Sequence, residues 1–478
     1  MNPTQGSRLP SQGSLPVNQT DLVIDPELLR RFDRPGPRYT SYPTADRFVE
    51  AFDAAAYRRA LERRRDGASS RPLSLYVHLP FCSSICYYCG CNKVITRDHG
   101  RSAKYLRYLE RELDLVTEVI GTGQRLEQLH WGGGTPTFLS PLELRDLMGI
   151  IRDHFVLAED GEYSIEVDPR SADPLTIALL GELGFNRLSV GVQDFDPDVQ
   201  RAVNRIQSYE LTVDVIEAAR ASGFKSVNLD LIYGLPHQTV ERFGQTLFKV
   251  LHINPSRIAL YNYAHLPTVF KPQRRINEAD LPSAATRLDL MTLAIRTFTR
   301  AGYQYIGMDH FARPDDDLAQ AQRIGHLHRN FQGYSTRAEC DLVAIGISAI
   351  GAVGPAYVQN AKTLDEYYDR LDQHEFPVLR GIELSADDLV RRAVIMALMC
   401  QFEVSMESIG IAYLIDFGRY FAEELAELRE LQAMGLLEID SEWITVTPRG
   451  RLLVRAICMV FDRYLREAQS RARYSKVI

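Results

Sequence analysis

The stretch Ser74 to Lys93, SLYVHLPFCSSICYYCGCNK, decides the fold. Successive side chains of an extended strand point to opposite faces. Leu75, Val77 and Leu79 therefore share one face, and Ser74, Tyr76 and His78 share the other. Cys82, Cys86 and Cys89 follow directly in C-x3-C-x2-C spacing, with Cys91 two residues further on. The same alternation returns in QLHWGGG, EYSIEVDP, RLSVGVQ, SVNLDLIYG and RIALYNY, and amphipathic segments such as AKYLRYLERELDLVTEVI lie between these runs. Strands alternating with helices predict a parallel sheet. A parallel sheet is normally apolar on both faces. Here one face carries Gln128/His130, Ser164/Glu166/Asp168, Ser189/Gln193, Ser226/Asn228/Asp230 and Tyr261/Tyr263. The expectation is an α/β fold, an open parallel (β/α)6 partial barrel curled around a polar ligand.

The thiols begin where the first strand ends, at the carboxyl end of the sheet, which is the active-site end of such barrels. A structural zinc site usually takes four ligands in two separated pairs, and no second Cys/His pair has a suitable spacing. Three thiolates can instead hold three irons of a [4Fe-4S] cluster and leave the fourth open. By spacing alone both metals stay in play. Gly132-Gly133-Gly134 allows close approach of a ligand, and GGGTPT lacks the lysine of a P-loop.

The chain has 478 residues, 45% hydrophobic and 24% charged, which suits one large catalytic body with a smaller appendage. Lys plus Arg total 55 against 62 acidic residues, a net charge of -7, so no global field favours nucleic acid. The weakly polar stretch Leu342 to Val358 is broken by glycines and Pro355 and reads as buried strand and turn rather than a membrane span. The first residues lack a signal-peptide core, so a cytoplasmic protein is expected. Seven cysteines, four of them clustered, imply thiols rather than disulfides.

The expected domains are a disordered tail (1–27), an extended N-terminal arm with a helix (28–73), the partial-barrel catalytic domain (74–375) and a mainly helical, winged-helix-like C-terminal domain (376–478). The arm is RPGPRYTSYPTADRF, whose prolines forbid a continuous helix. Thr447 before Pro448 predicts a helix N-cap. The acidic chain makes the C-terminal domain a cover over the barrel rather than a DNA reader.

On the cysteine motif the sequence resembles the radical S-adenosylmethionine enzymes. PRYTSYPTA, HLPFC, CYYCGCNKV, HWGGGTPT, IEVDPR, FNRLSVGVQDF, VNLDLIYGLP, NYAHLP, GMDHFARPDD, HRNFQGY and the final KVI resemble the oxygen-independent coproporphyrinogen III oxidases, from about Leu29 to the C-terminus. The resemblance implies that two propionates of coproporphyrinogen III are oxidatively decarboxylated to vinyls, giving protoporphyrinogen IX in haem synthesis, by a 5'-deoxyadenosyl radical. It implies cluster ligands Cys82, Cys86 and Cys89. Tyr76, Gly133, Glu166, Gln193, Arg205 and Asp230 would contact the cluster-bound S-adenosylmethionine, and Ala264 and Ile350 a second molecule of it. Cys91 and Tyr76 are the expected catalytic residues. The substrate's carboxylates need cationic partners, and the candidates are Arg38, the Lys271/Arg274/Arg275 cluster, His310, Arg313 and Arg329. An unidentified electron donor and acceptor are expected, with no nucleic acid, no membrane span and a monomeric state. Two other readings are a radical-motif haem chaperone, whose members typically lack a cysteine two residues after the third ligand (Cys91 here) and the MDHFARP and HRNFQGY segments, and a zinc-structured scaffold.

Overall fold

The computed structural model describes residues 22–33, 35–67, 71–337 and 340–467. Its twelve-stranded sheet comprises β1 (Leu73–Leu79), β2 (Gln124–Gly133), β3 (Phe155–Val167), β4 (Arg187–Gln193), β5 (Ser226–Tyr233), β6 (Arg257–Asn262), β7 (Gln304–Gly307), β8 (His310–Ala312), β9 (Asp341–Ile345), β10 (Ile350–Val353), β11 (Ala356–Asn360) and β12 (Val378–Glu383). The order is β12-β11-β10-β9-β1-β2-β3-β4-β5-β6-β8-β7. Strands β1 to β6 are the expected parallel set. A seventh parallel strand, β9, lies on the other side of β1, and antiparallel strands extend both edges.

The helices outside the sheet follow strands through short turns whose chemistry is explicit. Ser140, Asp173 and Asp196 each cap a helix whose first residue is proline. The cap accepts an otherwise orphaned N–H, and proline has no N–H to orphan. The face Leu75/Val77/Leu79, Ile165/Val167, Leu188/Val190/Val192, Val227/Leu229/Leu231 and Ile258/Leu260 is buried in the core. The opposite face lines the lumen, whose open side is crossed by a hairpin, His328–Asn330 and Gly333–Ser335. Tyr334 packs on His310 of β8, Phe331 on Tyr357 of β11, and Gln128 of β2 donates to Ser335. The hairpin thus plugs the gap that an open sheet leaves.

The C-terminal unit has the winged-helix-like arrangement: helix Ala386–Gln401, a three-stranded sheet formed by Glu403–Ser405, Leu437–Ile439 and Trp443–Val446, and the intervening helices. Two boundaries move. Strand β12 lies beyond 375, because its ladder with β11 keeps it in the large sheet. The expected tail also ends earlier than 27. Val23 donates to the Pro448 carbonyl, Asp25 caps the helix Pro26–Arg31 and pairs with Arg449 at 2.6 Å. Residues 1–21 of that tail, and the final KVI, lie outside the described residues. Thr447 caps a turn rather than a helix. Its hydroxyl accepts from Gly450 and donates to the Gly435 carbonyl, and the α-helix starts at Val454.

The arm is an extended strap with one short 3-10 turn, Ala45–Arg47. Tyr39 and Tyr42 are fully buried. Tyr39 donates to Asp462 at 3.0 Å and Arg455 donates to the Pro37 carbonyl at 2.9 Å, while Val49 bridges to Gly381 on β12. The strap therefore ties the C-terminal unit to the sheet. No helix among the described residues is long and apolar enough to cross a membrane.

Candidate active site

The cysteine loop leaves β1 at the carboxyl end of the sheet. Among the described residues no three His, Cys, Asp or Glu side chains converge closely enough to chelate a single ion. A cubane takes one thiolate on each of three separate irons, so its ligands stand apart. Cys86 is buried, and its sulfur accepts from Arg170 Nη2 at 3.4 Å and Arg205 Nη1 at 3.6 Å. Both guanidinium groups also hold Asp168, at 2.6 Å and 3.0 Å. The neighbouring Cys91 thiol, helped by the Lys93 charge, holds Cys89 below the usual thiol range, while Cys91 is pushed up. Cys82 lies 3.4 Å from the Thr135 hydroxyl, and burial raises its thiol to about 11. Three thiols at a sheet end, one under two guanidinium groups, suit an anionic sulfur cluster, since donors to its sulfurs are a protein's means of tuning it.

The triglycine is required by close approach. A Cβ on Gly132 would sit 2.8 Å from the Glu166 carboxylate, and one on Gly134 would sit 2.6 Å from the Pro80 carbonyl. Gly133 has φ +114 and lies against His78. Its N–H donates to Glu166 Oε2 at 3.1 Å, and His130 Nε2 is 3.2 Å from Oε1. Burial pushes the Glu166 carboxyl up, but His130 and the Gly133 N–H hold it net below its ordinary value. Tyr76 stacks on His130 at 5.7 Å and its hydroxyl lies 3.1 Å from His78 Nδ1. Burial, then the Glu166 charge and Cys91, raises the Tyr76 phenol well above its usual range. Cys91 itself is exposed.

Gln193 ends β4 at φ 68, a left-handed conformation that a side chain rarely adopts. Arg205 donates to the Gly191 carbonyl next to it at 2.6 Å. Asp230 accepts from Ser189 at 3.1 Å and Asn228 at 2.8 Å, and burial, with Glu166 nearby, pushes it up to about 7. Ala264 follows β6, and Gln273 ties its carbonyl and that of Tyr88 together, which brings it to the cysteine loop. Register places Ile350 on the Tyr76 face: Tyr76 pairs with Ala344 and Leu342 with Ala352. Of the expected cofactor positions, Glu166 and Asp230 line the cavity, Gly133 is tied to Glu166, Arg205 and Ala264 stand at the cysteine loop, and Ile350 packs with Phe48 and Tyr357.

The substrate candidates divide. His310, Arg38 and Arg329 gather on the far side, where His310 lines the lumen's cavity and Arg38 and Arg329 stand behind Tyr261 and Tyr334. Arg38 pairs with Asp309 and lies over the Tyr261 ring. Arg329 is 4% exposed and lies over Tyr334, and its buried Nε and Nη1 have no partner among the described residues. Burial, then Arg329 and Arg38, drive the His310 imidazole well below its usual value. Between this side and β3 to β5 lies a cavity of about 180 Å³, lined by Glu166, Asp230, Tyr261, His310 and Tyr334 among others. Arg313 is elsewhere. It sits at the foot of β6, donating to Asp315 and Asn254, because β8 runs antiparallel and carries it away from the mouth. Lys271, Arg274 and Arg275 are exposed on the outer side of the cysteine loop and do not line this cavity. Sequence reasoning missed Arg170, Asp168, His78 and His130 as parts of the site. Asp168 and both histidines were on the polar strand face, and Arg170 closes the IEVDPR motif.

A partial barrel with this thiol loop, glycine turn and polar lumen defines the radical S-adenosylmethionine class, and the Radical SAM superfamily model matches residues 76–250. The HemN C-terminal domain model matches residues 384–453. The chain is 52% identical to an oxygen-independent coproporphyrinogen III oxidase of Pseudomonas aeruginosa, over 95% of this chain and 98% of that one. It is 48% identical to that of Escherichia coli, over 97% and 100%. The solved coproporphyrinogen III oxidase from Escherichia coli, described as a radical SAM enzyme, superposes with a TM-score of 0.88 at 48% identity, covering 93% of this chain and 100% of that one. The chain belongs to the family of oxygen-independent coproporphyrinogen III oxidases, radical SAM enzymes of haem biosynthesis. Membership in the superfamily brings a [4Fe-4S] cluster and S-adenosylmethionine as cofactors.

Proposed function

We propose that this chain converts two propionates of coproporphyrinogen III to vinyl groups, forming protoporphyrinogen IX, in the cytoplasm and as a monomer. When bound, the cluster and S-adenosylmethionine supply one-electron chemistry able to take a hydrogen atom from an unactivated carbon. Cys82, Cys86 and Cys89 hold the cluster, and Arg170 and Arg205 offset the charge at Cys86. Tyr76, Gly133, Glu166, Gln193, Arg205 and Asp230 orient the cofactor, and Ala264 and Ile350 line room for a second molecule. Cys91, two residues beyond Cys89 on the same loop, acts at the reacting end of the lumen. In the substrate, hydrogen leaves the propionate carbon next to the pyrrole, the carboxylate leaves as carbon dioxide, and one electron passes to an acceptor. Arg329, Arg38 and His310 take the substrate's carboxylates.

The observation that carries the substrate reading is Arg329, buried behind Tyr334 of the cavity lining with donors unmatched among the described residues. Burying an unpaired cation is costly, so the site is built for an anion it does not itself contain. Anaerobic incubation with coproporphyrinogen III, S-adenosylmethionine and dithionite, read by mass and absorbance, should show loss of two carboxyl groups. Tight haem binding without decarboxylation would instead favour the chaperone reading.

A further inference from the structure

The basic turn excluded from the lumen has a distinct setting. The short 3-10 segment Lys271–Arg275 is pinned to the cysteine loop by one buried glutamine. Gln273 Nε2 donates to the Tyr88 carbonyl at 3.0 Å, and its Oε1 accepts from Leu266 at 2.6 Å. Beside it, the Phe270 ring lies 3.1 Å from where a Cβ on Gly90 would be. Burial of Gln273 turns its neighbours outward, and Lys271, Arg274 and Arg275 are all exposed. The Arg275 guanidinium covers the Tyr87 ring at 5.3 Å and donates to its hydroxyl at 3.4 Å. Tyr87 itself stands between Cys86 and Cys89.

Among the described residues, none of the three cations is in an ion pair. The acids that follow are engaged elsewhere: Glu278 is 3.4 Å from His265 and Asp280 is 3.8 Å from His237. A locally positive island on a chain of net charge -7 is against its average. It also lies directly against the thiol loop, on Tyr87 and the Tyr88 carbonyl. Electron transfer weakens steeply with distance, so a reductant gains by seating here. Complementary charge speeds such encounters and fixes their orientation.

We propose that Tyr87, Lys271, Arg274 and Arg275 form the docking surface for a small acidic one-electron carrier protein; this rests on the reading of Cys82, Cys86 and Cys89 as cluster ligands. A reduced flavoprotein gives up one electron, its flavin hydroquinone becoming the semiquinone, and the cluster gains that electron. The interface is small and transient, of the size typical of redox encounters, below roughly 1,200 Å².

The test uses the anaerobic holoenzyme and an acidic flavodoxin as probe. Calorimetric titration should give an affinity that falls with salt. The triple variant Lys271→Glu/Arg274→Glu/Arg275→Glu should weaken it by at least ~10-fold and flatten the salt dependence, and the corresponding triple Gln variant should fall between. Iron content and dithionite-driven turnover should stay at the wild-type level in both. A flavodoxin affinity equal in wild type and Glu variant overturns the docking surface. A raised KM for coproporphyrinogen under dithionite with unchanged flavodoxin affinity also overturns it and returns these cations to the substrate. A wild-type protein that takes up no iron overturns the cluster reading beneath it.

Discussion

Two walls of the lumen carry buried arginines, and they are built differently. On the cysteine side, Arg170 and Arg205 share Asp168 between them, and Arg205 also donates to a backbone carbonyl. On the far side Arg329 has an aromatic ring beneath it and, among the described residues, no carboxylate. Its neighbours add to the positive charge. Burial and then Arg329 push the Arg38 guanidinium down, and burial with Arg38 lowers Arg455 to about 9. A buried cation with its own anion is a finished piece of structure. A buried cation without one is a request for a ligand, because the cost of desolvating it is recovered only when an anion arrives.

The comparison can be broken most severely at the thiols. Cys86→Ala should abolish iron binding and all turnover, because two thiolates cannot hold a cubane in place of three; a reconstituted mutant as brown as wild type would remove Cys86 from the ligand set. Cys91→Ser should keep iron and cluster absorbance but lose most conversion to protoporphyrinogen. Loss of iron there would make Cys91 a ligand, and full activity would make it a spare thiol. Arg205→Met leaves Asp168 with one cation and should cost about 3 kcal/mol of stability in denaturant melts. Arg329→Met should be the reverse case. Unliganded stability should hold or rise, while KM for coproporphyrinogen climbs about 30-fold, the worth of a charge-assisted hydrogen bond. If Arg329→Met destabilises as much as Arg205→Met, the two walls are not different in kind.

The smallest effect concerns a carboxylate buried without a cation. Glu112 accepts from Tyr367 at 2.5 Å, Asn360 at 2.6 Å and the Gly346 N–H at 2.8 Å, and burial raises it to about 7. Unlike arginine, it can shed its charge by taking a proton. An acid whose folded value is raised binds its proton more tightly when folded, so its contribution to stability is present at low pH. That contribution is lost as pH rises from about 4.3 toward 7. Glu112→Gln should lack this loss. The stability advantage of wild type over the variant should shrink by about 2 kcal/mol between pH 5 and pH 8. A gap independent of pH would show that Glu112 is ionised throughout.

Much of the lumen was legible because a strand's period is two. Alternation alone put Tyr76, Glu166, Gln193 and Asp230 on one face, and the structure shows that face lining the lumen. Spacing alone put three thiols at the end of the first strand. The cations were not legible in the same way. Arg313, Lys271 and Arg329 all sat in motif-like surroundings, yet one lies at the foot of the barrel, one outside it and one buried behind Tyr334 of the lumen. Long side chains outside regular strands have no fixed face, so charge in sequence carries no direction.

By itself the sequence determined the parallel sheet, its polar interior and the thiol loop at its carboxyl end, because these follow from local periodicity and from contacts within a few residues. Only the tertiary structure decided which arginines are compensated. Asp168 meets Arg205 across 37 residues, and Arg38 meets Asp309 across 271. Whether a buried charge keeps a partner or awaits one depends on such long-range encounters, and on a hairpin that closes the open side by touching strands from both ends of the sheet.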